Sequence, residues 1–184
     1  MKKLFSLLAI ALFALTANAQ SLIGEWIVDG DFNNAIKQTM KEASQEADVD
    51  LNLSLIFTEN DVKLVNLINV GTEGTTISMA VRVPGTYVVD GDKVNCNFDA
   101  EKSDFDVLDI QSNSPEMAEV LSNPAMKPMI LGMIKSQAKQ EMTQMTQGVS
   151  MVATPFSEFT IKEITDTKLT IIAQGELEIT FVKK

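Results

Sequence analysis

The sequence contains no histidine, one cysteine, one tryptophan and one arginine. Without histidine the chain lacks the commonest general base, the usual catalytic triad and the commonest metal ligand. The single cysteine, Cys96, excludes a disulfide within the chain, and its strand spacing from Val94 and Phe98 predicts a small buried hydrophobic residue. No Gly-x-Ser-x-Gly elbow, zinc-ligand spacing or phosphate-binding glycine loop occurs. We therefore expect a protein that is not an enzyme and that holds no cofactor or metal.

Positive charge is scarce as well. Fifteen Lys and Arg residues face 25 Asp and Glu residues, which gives a formal net charge of −10. An acidic chain without a basic cluster is a poor partner for nucleic acid or an anionic membrane. Five acidic residues lie close together in sequence but lack the alternating ligands and the glycine of a calcium loop, which favours solvated loop charges: Asp99, Glu101, Asp104, Asp106 and Asp109.

The first nineteen residues are typical of a secretory signal peptide. Lys2 and Lys3 precede an apolar run over residues 4–15, and a small-residue site ends at Ala19. The apolar run is too short to span a bilayer, and no later stretch reaches that length. We expect cleavage after Ala19, a single domain over residues 20–184, a secreted or periplasmic location and no stable membrane anchor. Loss of the two lysines would change the formal charge from −10 to −12.

Alternation of apolar and polar residues dominates the rest of the chain and predicts about ten short strands. Leu51 to Phe57 and Thr75 to Val83 alternate most regularly. Tight turns are expected at Glu59-Asn60-Asp61, Pro84-Gly85, Asp90-Gly91-Asp92, Thr165-Asp166-Thr167 and Gln174-Gly175. This spacing predicts a mainly β fold, an antiparallel up-and-down β-barrel, with a sandwich as the alternative.

Two segments have helical spacing instead. The first begins at Asp31 after the first strand, with its apolar side formed by Phe32, Ala35, Ile36, Met40 and Ala43. The second is an insertion near 115–147, in which Pro115 opens a helix to about 122 and a further helix covers about 128–147. An apolar stripe on this last helix contains Ile130, Met133, Ile134, Ala138, Met142 and Met145.

Gly24-x-Trp26 opens the first strand of this predicted meander, and in that position it resembles the lipocalin-like families of the calycin superfamily. The resemblance implies an eight- or ten-stranded barrel around a pocket for a small apolar or amphipathic ligand. The helix after the first strand is similar to the arrangement in fatty-acid-binding proteins. Lipocalins usually pack a late arginine over the tryptophan, whereas the last strand here offers only Lys183 and Lys184.

Candidate ligand-contacting residues are Trp26, Met79, Arg82, Met129, Met133 and Met142. Trp26 has the alternative of filling the closed end of the barrel. Arg82 could hold a ligand carboxylate, or lie on the outer face that its polar neighbours indicate.

Seven of the ten methionines fall between 117 and 151. They could pack a core, form a lid or docking face, or bind Cu(I) through Met126, Met129, Met142 and Met145.

The leading hypothesis is an exported, lipocalin-like protein that binds a small apolar or amphipathic ligand without transforming it. The alternative is a protein-interaction module of the cell envelope, with the methionine-rich helices as its docking face.

Overall fold

The computed structural model describes residues 22–30, 32–34, 38, 48–72, 74–137 and 153–184. Within these ranges the chain is mainly β, as the alternation predicted. The strands are β1 Gly24–Val28, β2 Asp48–Phe57, β3 Asp61–Thr72, β4 Thr75–Asp90, β5 Lys93–Phe98, β6 Asp104–Ser112, β7 Glu158–Ile164, β8 Lys168–Ala173 and β9 Leu177–Lys183.

Eight of these strands close into an antiparallel barrel of up-and-down topology. Each strand pairs with its neighbour in the order β1-β2-β3-β4-β5-β7-β8-β9, and β9 returns to β1 through the pair Trp26↔Lys183. The tight turns predicted between strands are present at 59–60, 91–92, 166–167 and 174–176. The barrel that the sequence predicted is therefore confirmed.

β4 is one strand of 16 residues, so the turn predicted at Pro84-Gly85 is wrong. Pro84 has no N–H to donate to a ladder, which is why it read as a breaker. A proline is tolerated here because it lies between the two partners of β4 on this side. β5 pairs with β4 as far as Gly85, and β6 pairs with β4 from Arg82 back toward its start. The N–H that proline lacks would point into this gap between β5 and β6, where no described strand needs it. The Pro84 carbonyl on the same side accepts a hydrogen bond from the Asp99 backbone N–H at 2.8 Å.

β6 extends the sheet beyond the closed ring. It pairs along the first half of β4, while β5 pairs with the second half and connects the ring to β7. A 3-10 turn, Ala100–Lys102, separates the two strands. The open half of the molecule is thus a four-stranded sheet formed by β6 and the outer halves of β4, β3 and β2, as the pairing of residues 48–53 with 66–71 shows.

Helices lie in the two predicted places. Residues 30, 32–34 and 38 are helical in the β1–β2 connection, which confirms a short helix after the first strand. Within the insertion, α1 is Pro115–Ser122 and α2 is described over 126–137. α2 begins two residues before Pro128, because a proline is tolerated in the first turn of a helix. The remainder predicted to reach 147 falls outside the described residues. None of the described helices is both long and apolar enough to cross a membrane.

One hydrophobic core fills the end of the barrel where β1, β9 and β8 lie. Its largest fully buried side chains are Trp26, Phe57, Phe156, Phe159, Phe181, Leu22, Leu53, Leu55, Leu64, Leu169, Ile171 and Ile179. Cys96 belongs to the same core, as its spacing predicted. Three phenylalanines interlock edge to face, with Phe156 6.3 Å from Phe32 and 6.2 Å from Phe181 between ring centroids. Phe32 thereby attaches the helical residues after β1 to the barrel.

Candidate functional site

Trp26 lies at the packed end of the barrel and is fully buried. Its indole N–H donates to the Leu22 carbonyl at 2.7 Å, and the Lys183 ammonium lies 5.0 Å from the centroid of its ring. Gly24 makes this possible, because a Cβ at that position would come within 2.7 Å of the Lys183 side chain. Lys183 therefore takes the place over the tryptophan where the resemblance implied an arginine. The position favours the filling role for Trp26 over contact with a ligand.

The open half of the barrel has a different interior. Leu64 of β3 and Val83 of β4 are buried and face the interior. Every second residue of each strand therefore faces the interior as well. Six of these side chains remain half-buried, and we call them the inner strip: Asn66, Ile68, Val70, Ile77, Met79 and Val81. The two strands carry them as cross-strand pairs, Asn66 with Val81, Ile68 with Met79 and Val70 with Ile77. Met79, a candidate from the sequence, thus lies at the middle of an accessible apolar surface.

Buried residues flank the inner strip on both sides. Leu51 of β2 pairs with Ile68, and Val107 of β6 pairs with Met79; both flanking residues are buried. The accessible surface along β3 and β4 is therefore bounded on both sides by buried side chains, and we call this strip of surface the trough. Five of the six side chains in the trough are apolar, which is the usual lining of a site for a small apolar molecule.

Asn66 is the one polar residue of the inner strip. Its Oδ1 atom is buried, and no donor among the described residues hydrogen-bonds to it. A second side-chain oxygen in the same state is Oδ1 of Asn33, whose amide N–H₂ donates to the Val28 carbonyl at 3.0 Å. Orphan acceptors are unusual in folded proteins because the lost hydration is not replaced. The alternation of Leu64, Asn66 and Ile68 predicts that Asn66 faces the interior, although Asn66 was not among the predicted ligand-contacting residues.

Arg82 lies on the outer face of β4, as its polar neighbours indicated. Its guanidinium pairs with Asp104 at 3.1 Å across the β4–β6 ladder. The neighbouring acidic residues have separate partners too, since Asp99 pairs with Lys102, Asp106 with Lys135 and Asp109 with Lys127. Hydrogen bonds from these lysines hold the pKa of Asp99, Asp106 and Asp109 below the ordinary carboxyl value. The five acids that cluster in sequence therefore do not converge, and Glu101 is exposed.

The methionines of α2 point away from the barrel. Met129 and Met133 are 57% and 63% exposed, whereas Ile130 and Ile134 are half-buried. Of the roles open to the methionines, core packing is therefore excluded for Met129 and Met133. The two ion pairs between α2 and β6 lie on the side of the helix that carries the isoleucines. Met129 and Met133 line a surface cleft of about 370 Å³ together with Gly132, Ser136 and Gln137. Met142 and Met145 lie outside the described residues.

A second surface cleft, of about 360 Å³, lies on the outer face of the open half. Four strands contribute to it side by side, since Asp48 pairs with Gly71 and Thr76 pairs with both Gly71 and Gln111. All of its lining residues are polar or glycine: Asp48, Asp50, Asn69, Gly71, Thr76, Ser78 and Gln111. Within the described part of the chain, no three His, Cys, Asp or Glu side chains are placed to hold a metal ion.

No protein-family model matches the chain, and no curated protein is significantly similar to it. The closed eight-stranded antiparallel barrel is compatible with a lipocalin-like or calycin-like fold.

Proposed function

We propose that this chain is an exported binding protein that carries a small apolar or amphipathic ligand and does not transform it. The observation that supports this most directly is the inner strip, in which apolar side chains face the interior yet keep accessible surface. Other half-buried interior side chains, such as Tyr87 and Phe98, pack against the hydrophobic core. Ile68, Ile77 and Met79 are neither part of that core nor among the side chains packed against it, which sets this part of the strip apart. Transfer of alkyl groups onto this surface provides the driving force, at about 0.8 kcal/mol for each methylene removed from water.

The packed core restricts where the ligand lies. Trp26, Phe57 and Phe181 fill the barrel at the level of β1 and β9. The proposal therefore places the ligand in the open half, along Met79 and its neighbours, and not at Trp26. Export through the first nineteen residues, and a secreted or periplasmic location, belong to the same proposal and can be checked by sequencing the amino terminus of the secreted protein, which should begin at Gln20.

Native mass spectrometry of the protein with a fluorescent alkyl probe tests the proposal. We expect a one-to-one complex that is lost in Met79→Asp, because a charge in the trough opposes burial of an alkyl chain. Ser78→Asp is the matched control, since Ser78 is the adjacent residue of β4 and faces the outer cleft. Trp26 fluorescence reports whether each variant is folded. Absence of any complex with the unmodified protein, or equal binding by both variants, would contradict the proposal.

A second candidate function rests on α2. Met129 and Met133 are large, adaptable and exposed, which is typical of a surface that docks a protein partner of the cell envelope. The double substitution Met129→Lys and Met133→Lys should abolish crosslinking to such a partner and leave probe binding intact. Val88→Lys is the control, because Val88 is equally exposed on the other half of β4. Unchanged crosslinking in the α2 variant would exclude this docking face.

A further inference from the structure

We infer that the inner strip selects a neutral, single-chain amphiphile whose polar end donates a hydrogen bond to Asn66. The inference rests on the proposed function and names the chemical class of its ligand. Asn66 is the only polar side chain of the strip, and its Oδ1 atom is buried without a donor among the described residues. Binding of a suitable group would satisfy an acceptor that the folded chain leaves without a partner.

The chemistry of that acceptor restricts the ligand. A carboxamide oxygen accepts hydrogen bonds and cannot donate them, so the group that meets it must carry an O–H or N–H. The terminal torsion of asparagine is soft, which allows the amide to turn toward an arriving donor. A hydroxyl or a secondary amide meets this requirement. An ester, an ether or a plain alkane does not.

Charge on the ligand is disfavoured by what surrounds Asn66. The described inward positions on the two neighbouring strands are all uncharged: Val49, Leu51 and Leu53 on β2, and Phe105, Val107 and Ile110 on β6. The single arginine of the chain, Arg82, lies on the outer face and already pairs with Asp104. A fatty-acid carboxylate in the trough would therefore lose its hydration without gaining a cation from the described positions of these strands, which strongly opposes binding.

The apolar part of the ligand has a defined path. Asn66 lies where the strip meets the packed core, since its cross-strand neighbour Leu53 is fully buried. From Asn66 to Val70 the strand rises over four residues, or about 13 Å. Ile68, Met79 and Ile77 line this path. The polar end thus enters first, and a medium-length alkyl chain extends along β3 and β4 toward the open end.

Three ligands of equal chain length test the inference by calorimetry at pH 8, where a free carboxylate is ionised. They are 1-decanol, methyl decyl ether and decanoate. We expect 1-decanol to bind about tenfold more tightly than the ether, because only the alcohol donates to Asn66, and to bind more tightly than decanoate. Decanoate or ether binding as tightly as the alcohol would overturn the inference and leave the carrier function standing. Failure of all three ligands to bind would overturn both.

Two matched variants locate the donor preference. Asn66→Leu has similar size and no acceptor, so 1-decanol should bind it only as tightly as the ether does, while ether binding is retained. Asn69→Leu is the control on the opposite face of the same strand, where Asn69 lines the outer cleft; it should keep the tenfold preference. A preference that survives Asn66→Leu, or that Asn69→Leu removes, would overturn the assignment to Asn66.

Discussion

Lys183 extends over the face of Trp26 across the β1–β9 ladder, with 5.0 Å between its ammonium and the ring centroid. The lysine reaches this position because Gly24, two residues before the tryptophan, has no side chain in its path. Gly24 also has a φ of +138°, a conformation that residues with a side chain rarely adopt. Gly24, Trp26 and Lys183 together form one structural unit that joins the first strand to the last.

Substitution of Gly24 by alanine should lower the free energy of unfolding by about 2 kcal/mol, from backbone strain and displacement of Lys183. Urea denaturation followed by fluorescence measures it, because Trp26 is the only tryptophan. Gly91→Ala is the control, since Gly91 has a φ of +67° but no atom near the added Cβ; its cost should be only about 1 kcal/mol. Equal losses in both variants would show that Lys183 contributes nothing.

Truncation of Phe156 should be more costly. Phe156 is fully buried and contacts both Phe32 and Phe181, so Phe156→Ala leaves a cavity and removes about 3–5 kcal/mol of stability. Because Phe32 loses its ring partner, amide hydrogen exchange should accelerate first around residues 32–34. Val88→Ala, at an exposed position, should change neither quantity by more than about 0.5 kcal/mol. Unchanged exchange at 32–34 would mean that another contact holds these residues.

Strand positions were predictable from sequence because alternation records which face is buried, and Leu51 to Phe57 shows this most clearly. Pro84 was misread because its tolerance depends on a gap between β5 and β6 that only the register reveals. The exposure of Met133 was also beyond the pattern, since helical spacing groups residues on a face without saying which face meets the sheet. The missing hydrogen-bond donor at Asn66 could not be predicted either, because it depends on which side chains lie around the amide.

Two lysines tie α2 to β6, with Lys127 2.7 Å from Asp109 and Lys135 2.7 Å from Asp106. The double substitution Lys127→Met and Lys135→Met should accelerate hydrogen exchange in α2, and added salt should do the same to the unmodified protein by screening the pairs. Lys102→Met removes a pair in the exposed turn before β6 and should leave α2 unchanged. Insensitivity of α2 to both salt and substitution would show that its apolar face alone holds it.

The same contact has a defined pH dependence. Hydrogen bonds from the lysines lower the folded-state pKa of Asp106 and Asp109 below their ordinary value of 3.8. Carboxylates of this kind stabilise the folded state above that value, and the contribution is lost as the pH falls through the lowered pKa. We expect α2 to loosen below about pH 4, as a small change in its amide chemical shifts that Asp106→Asn and Asp109→Asn together abolish. Loosening on raising the pH instead would contradict this sign.

Cys96 should be chemically inert in the folded protein. Burial raises the pKa of its thiol to about 12, so almost no thiolate exists at pH 8. A thiol reagent such as iodoacetamide should label the chain only after denaturation, which mass spectrometry detects directly. A Ser157→Cys variant, exposed beside the same strand, provides a positive control for labelling. Rapid labelling of Cys96 in the native state would place it at an opening of the barrel.

The division of labour between β5 and β6 has a consequence for how the molecule tolerates change. β5 alone joins the ring to β7, whereas β6 pairs only with β4 among the described strands. Separation of β6 from β4 would therefore leave all eight strands of the ring paired with their neighbours. Insertions in α1 and α2 should therefore leave the order and closure of the eight-stranded ring unchanged.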